Sequence, residues 1–201
     1  MPDGPFDLIV ADPPWRFGHW KLNLDDTKVR AVEQHYQTQS LEWICDLPVA
    51  EVAARNSHLM LWITGPMLAR GVHATVLQAW GFEPSSIAFV WLKINKKSVQ
   101  GRFWSLPRKE DFFMGLGHTT RQNAEYVVLG RRGRPQRHAR DVHQLIIEPR
   151  REHSRKPEAF YVEAERYAGR DARRLDLFAR KQRPGWTAAG NEIAKFDGVA
   201  E

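Results

Sequence analysis

The chain has 201 residues, 42% of them hydrophobic, and carries 30 Lys plus Arg against 24 Asp plus Glu, a formal charge of +6. Its one cysteine, Cys45, excludes an internal disulfide and a cysteine-based zinc centre and suits a reducing cytoplasm. The opening MPDGPFD has no basic-then-apolar leader, and no apolar run approaches the ~20 residues of a membrane helix. One soluble cytoplasmic domain over residues 1–201 is therefore expected, with a core at about 6–192, a short tail over 193–201, no membrane contact, and a basic surplus that favours a polyanionic partner.

Strand-like runs are predicted over Phe6 to Ala11, His58 to Thr64, Ile87 to Lys93, Glu125 to Gly130, Leu145 to Glu148 and Arg174 to Ala179. Several are apolar at consecutive positions, the pattern of strands covered on both faces. Between them, short helices are predicted over Ser40 to Cys45 and Val49 to Arg55. Longer ones are predicted from Pro66 to Trp80 and from Pro157 to Ala168, ended by Gly81 and Gly169. Alternating strands and helices predict an α/β fold: a mostly parallel sheet with helices on both faces. Three connections, Arg16 to Gln39, Asn95 to Arg121 and Arg131 to Gln144, are long for loops and lie beside strand ends, where α/β folds bind ligands.

At the end of the first strand stands Asp-Pro-Pro-Trp. Asp12 supplies a carboxylate; Pro13 and Pro14 fix φ near −65° and leave their carbonyls free to accept. Such a rigid acceptor pair suits the two hydrogens of an aromatic amine, and Trp15 offers a face for base stacking, worth about 1–3 kcal/mol. The competing reading makes Asp12 a turn cap and Trp15 a core side chain. Lys156, beside Pro157, faces the positive end of a helix, an unfavourable place without an anion nearby. The segment from Arg131 to Lys156 concentrates Arg131, Arg132, Arg134, Arg137, Arg140, Arg150, Arg151, Arg155 and Lys156 against Asp141, Glu148 and Glu152. It reads equally as a solvated loop or a phosphate-binding one. GLGHTT lacks the ending of a phosphate loop, and the eight histidines show no convincing metal-ligand spacing, so no metal is expected.

FDLIVADPPW, HYQTQSLEWICDLPV, LMLWITG, WGFE with FVWLK, GLGHTTRQNAEYVVLGRRG, REHSRKPEAFYVEAERY, LDLFARKQRPGW and GNE together resemble the MT-A70 family of amino-methyltransferases, in that order, over about 6–192. The resemblance implies a Rossmann-like class I methyltransferase fold with permuted, β-class motif order. It also implies S-adenosylmethionine as cofactor and methyl transfer to N6 of adenine in DNA or RNA, with DNA taken first. By the same resemblance Asp12, Pro13, Pro14 and Trp15 form the catalytic signature, and Tyr36, Glu125 and Trp15 stand near the acceptor base. Asp12, Lys156, Phe178, Arg180, Asn191 and Glu192 hold the cofactor, and the 131–156 segment contacts nucleic acid. Longer relatives have an upstream contact to the cofactor adenine for which Asp7 and Leu8 are poor substitutes. Cytosine N4 methylation and a non-catalytic nucleic-acid-binding subunit remain alternatives, and a homo- or heterodimer stays open.

Overall fold

The computed structural model describes residues 1–15, 38–96, 108–116, 120–152 and 154–196. In chain order the elements are β1 (Phe6–Ala11), α1 (Leu41–Cys45), α2 (Val49–Val52), β2 (Ala53–Thr64), α3 (Gly65–Ala69), α4 (Val72–Ala79) and β3 (Glu83–Ile94). There follow β4 (Ala124–Arg132), β5 (Leu145–Pro149), α5 (Glu158–Ala168), β6 (Arg174–Leu177) and β7 (Trp186–Ala189). The strands form one seven-stranded mixed sheet in the order β5-β3-β4-β2-β1-β6-β7. Four pairings are parallel, β1–β2, β1–β6, β3–β5 and β6–β7, whereas β4 runs antiparallel to both β2 and β3. β3 and β4, consecutive strands of the chain, lie side by side and run antiparallel.

Consecutive apolar residues of the central strands divide between two cores, as their period-2 alternation demands. Ile9 and Ala11 of β1 and Leu59, Leu61 and Ile63 of β2 pack with Ile44, Val49, Met67, Val76 and Leu77 of α1 to α4. Leu8, Val10, Met60 and Trp62 pack with Phe160, Tyr161, Ala164 and Ala168 of α5. Fully burying one such side chain contributes about 1.5–3 kcal/mol. The β1–β2 register shifts between Phe6 and Leu8, and Phe6 joins the Ile9 side.

Several boundaries differ from those predicted. The helix from Pro66 to Trp80 is two helices, because Gly71 adopts φ 73° between them. The helix from Val49 stops at Val52, since Ala53 is extended (ψ 135°) and β2 takes Arg55. β2 and β3 begin earlier than predicted, at Ala53 and Glu83, through polar residues that hide their strand character. β6 ends at Leu177 because Phe178 turns to φ 67°. β7 was not predicted: WTAA is too short and too weakly apolar to stand out. No helix among the described residues is long and apolar enough to cross a membrane.

Candidate functional site

The ends of β1, β2, β3 and β6 meet at one edge of the sheet, and the antiparallel β4 brings its beginning to the same edge. Thr64 pairs with Glu125, Trp91 with Glu125 and Ala11 with Leu177. The backbone N–H of Asp12 donates to the Leu177 carbonyl at 3.4 Å. Three residues later the Trp15 N–H donates back to the Pro13 carbonyl at 2.8 Å, the three-residue closure to which a proline at its centre is suited. The Pro14 carbonyl accepts from Gln39 N–H at 2.9 Å, so both ends of the turn are tied. A carbonyl has two lone pairs, and the Pro13 oxygen keeps one for a ligand.

The Trp15 ring is buried in the core (4% exposed), and its indole N–H donates to the Trp62 carbonyl at 3.1 Å, which anchors the turn to β2.

Lys156 stands immediately before Pro157, the N-cap of α5. Its ammonium lies 3.1 Å from Asp12 Oδ1 and 2.9 Å from Glu125 Oε2, and 4.8 Å from the centre of the Trp62 ring. The anion its position requires is thus supplied by the protein itself. Lys93, at the end of β3, grips the other Glu125 oxygen at 2.5 Å. Burial opposes charge on Glu125, yet Lys156 and Lys93 outweigh it and hold the carboxyl down to about 2. Burial likewise opposes charge on Lys156, and Asp12 and Glu125 more than reverse it, so the ammonium is held well above its ordinary range. Among the described residues nothing else engages the Asp12 side chain, which leaves its second oxygen for a ligand.

Beside this charge chain a small cleft joins Asp12 and Lys156 to Phe178 and Arg180. Two residues around it, Ser154 (φ 69°) and Phe178 (φ 67°), hold left-handed backbone conformations, each at a cost of about 1–3 kcal/mol. Gly190, after β7, packs so closely that a Cβ would stand 2.9 Å from the Ala179 carbonyl oxygen and 3.0 Å from the Phe178 carbonyl carbon. Arg180 Nε pairs with Glu192 Oε2 at 3.1 Å, and exposed Asn191 lies between Gly190 and Glu192.

Of the residues singled out from sequence, Asp12, Glu125 and Lys156 come into direct contact. Phe178 and Arg180 share their cleft, and Glu192 is tied to Arg180. Tyr36 lies outside the described residues, as does most of the Arg16 to Gln39 connection. Asp7 accepts from the Arg173 backbone N–H at 2.9 Å, at the start of β1, away from the cleft. The 131–156 segment is not one surface, because β5 runs through it. Arg150 and Arg155 stay at the Asp12 edge, where Arg150 lies 4.6 Å from the Phe113 ring centre, while Arg131, Arg137 and Arg140 line a cavity at the opposite edge.

Sequence reasoning missed Lys93 and Asp176. The signal for each was a charge closing or interrupting an apolar strand, in FVWLK and LDLF. Asp176, 4% exposed on β6, accepts from Tyr161 OH at 3.1 Å and lies 3.7 Å from Arg183 Nη1. Burial pushes its carboxyl up to about 7, with Arg183 and the Tyr161 hydroxyl opposing.

The sequence profile described as MT-A70 matches residues 6–192. The type II methyltransferase M.MunI of Mycoplasma sp is 28% identical over 96% of this chain and 80% of its own length. Human N(6)-adenine-specific methyltransferase METTL4 is 30% identical over 96% of this chain and 39% of its own length. The human N(6)-adenosine-methyltransferase catalytic subunit METTL3 is 27% identical over 98% of this chain, which spans only 29% of that protein. With the profile covering nearly all of its length, and with the acidic-proline turn at the edge of the sheet, the chain belongs to the MT-A70 family.

Proposed function

We propose that this chain transfers a methyl group to the exocyclic N6 amine of adenine in nucleic acid, DNA ahead of RNA, as one Rossmann-like class I methyltransferase domain with permuted motif order. The observation that carries the reading is Asp12: one oxygen fixed by Lys156, the other free, on a turn closed by two prolines. Family membership and the relatives' names, which specify N6 of adenine or adenosine, support it. Core side chains from α1 to α4 on one side of the sheet and from α5 on the other support the fold. A cytoplasmic location goes with this reading, as the free thiol of Cys45 suits a reducing compartment.

An aromatic amine is a poor nucleophile because its lone pair is delocalised into the ring, so positioning must supply much of the rate. Asp12 and the free lone pair of the Pro13 carbonyl accept the two N–H hydrogens and turn the nitrogen lone pair out of the ring plane. Lys156 keeps Asp12 in place for that task. When the nitrogen–carbon bond forms, the nitrogen becomes acidic, and its proton passes to Asp12 or to water. Asp12 therefore need not be a strong base.

The donor set fits S-adenosylmethionine, which when bound supplies the electrophilic methyl group on a sulfonium. Lys156 has three N–H donors and spends two on carboxylates, leaving one for a ligand carboxylate. Asn191 and Glu192 offer an amide and a carboxylate to ribose hydroxyls, with Glu192 oriented by Arg180. Gly190 and Phe178 shape the backbone beside them, where a side chain on residue 190 has no room.

The test is Asp12→Ala. Turnover is expected to fall by about 10²-fold or more, as loss of a positioned acid–base group does, while calorimetry finds cofactor affinity within a few-fold of wild type. Unchanged turnover removes Asp12 from the mechanism.

A further inference from the structure

At the edge of the sheet opposite Asp12, a cavity of about 400 Å³ opens among the beginnings of β2 and β3, the end of β4 and the loop that follows it. Glu125 and Arg131 are six residues apart on β4, which separates the two sites by about 20 Å. The floor is apolar, made by buried Phe89 and Leu129, and the rim carries the exposed guanidinium groups of Arg131, Arg137 and Arg140. Among the described residues none of the three has a carboxylate partner; nearby Asp141 is held by Arg166 at 2.7 Å, and Arg166 also holds Glu163. Ser85 and Ser86 also line the cavity.

The rim is built rather than loosely draped. Gly133, at φ 65°, lies so close to Arg55 that a Cβ would stand 2.4 Å from its carbonyl oxygen. The Arg134 N–H donates to Asn56 Oδ1 at 2.9 Å, the His138 N–H to the Tyr167 carbonyl at 2.9 Å, and Gln144 Nε2 to the Ile87 carbonyl at 2.7 Å. Three like charges are thus held around an apolar floor by contacts that do not neutralise them. His58, buried beside them with Nε2 3.3 Å from Tyr167 OH, is kept neutral by burial and by Arg131, its imidazole pushed down to about 4.

We propose that this cavity is a second ligand site that binds a nucleotide phosphate, with the guanidinium groups on the phosphate and the apolar floor beneath the nucleoside. The choice of a nucleotide over other anions rests on the reading of the Asp12 site. The phosphate has two sources: a free nucleotide, or a segment of the substrate strand remote from the base being methylated. At 20 Å it is not a phosphate adjoining that base.

The full chain and its R137Q/R140Q variant are to be compared with adenosine 5′-monophosphate, followed by the His58 imidazole resonances, and with a trinucleotide and a 24-mer, followed by fluorescence anisotropy. Movement of the His58 resonances by the mononucleotide in wild type, lost in the variant, supports a free-nucleotide site. A tenfold or greater loss of 24-mer affinity in the variant supports the strand as source, provided that its salt slope is shallower by about 2 and trinucleotide binding is unchanged. Unmoved His58 resonances together with equal 24-mer affinities overturn the proposal. These are binding measurements, so failure of methyl transfer would sink the reading of Asp12 and leave this comparison intact.

Discussion

Lys156 and Asp176 illustrate how opposite environments act on charges only one cleft apart. Lys156 is desolvated but faces Asp12 and Glu125, which hold its ammonium well above the ordinary range, while Lys156 and Lys93 hold Glu125 low. Asp176 is desolvated with weaker compensation, and its carboxyl titrates near 7 when folded, above its ordinary value near 3.9. The folded state therefore binds a proton that the unfolded chain releases, so stability falls as pH rises from about 4 to about 7 and is level outside that window. Asp176→Asn keeps an acceptor for the Tyr161 hydroxyl but removes the titration. Its Tm relative to wild type, followed by thermal unfolding, is expected to rise by several degrees between pH 4 and pH 8; a constant difference would show that Asp176 ionises normally. The residues of this site were unevenly legible. Asp12 and Lys156 announced themselves by type and neighbours, whereas the fate of Trp15 did not: an indole beside a turn reads alike as a stacking face or an anchor, and only the Trp62 carbonyl decides.

At the scale of elements, apolar runs located six of the seven strands, because burial on both sides leaves consecutive hydrophobic residues. What they did not reveal was direction. The antiparallel course of β4 is what puts Glu125, at a strand's beginning, beside residues at or after strand ends. Glycines mark the points where local conformation overrides periodicity. Gly71 breaks a predicted single helix through its positive φ, with nothing within 4 Å of an added Cβ, so Gly71→Ala costs about 1 kcal/mol of backbone strain. Gly130 lies inside β4, where a Cβ would stand 2.5 Å from Leu77 Cδ2 and 3.1 Å from Phe82 Cβ. Gly130→Ala overfills that core and is expected to cost about 1–3 kcal/mol, the larger loss in denaturant unfolding. Equal losses would mean that α4 yields easily to the strand.

Across the whole molecule, the sheet separates two chemistries. One edge gathers Asp12, Lys93, Glu125 and Lys156 with the Phe178 to Glu192 segment; the other gathers Arg131, Arg137 and Arg140 around an apolar cavity. The basic surplus was legible in the sequence as a single stretch, yet a strand through its middle sends its halves to opposite edges, which composition cannot reveal. β1 and β6 pair in parallel at the centre of the sheet, so the Asp12 turn and the Phe178 to Glu192 segment leave from neighbouring strand ends. The identity of the methylated base separates the adenine reading from its rivals. The purified chain, incubated with labelled S-adenosylmethionine and pools of DNA and RNA, is to be assayed by mass spectrometry of the digested nucleosides. N6-methyladenine, as its deoxynucleoside or ribonucleoside, is the predicted product, absent with Asp12→Ala. N4-methylcytosine as the sole product, or no methylated base at all, would contradict it.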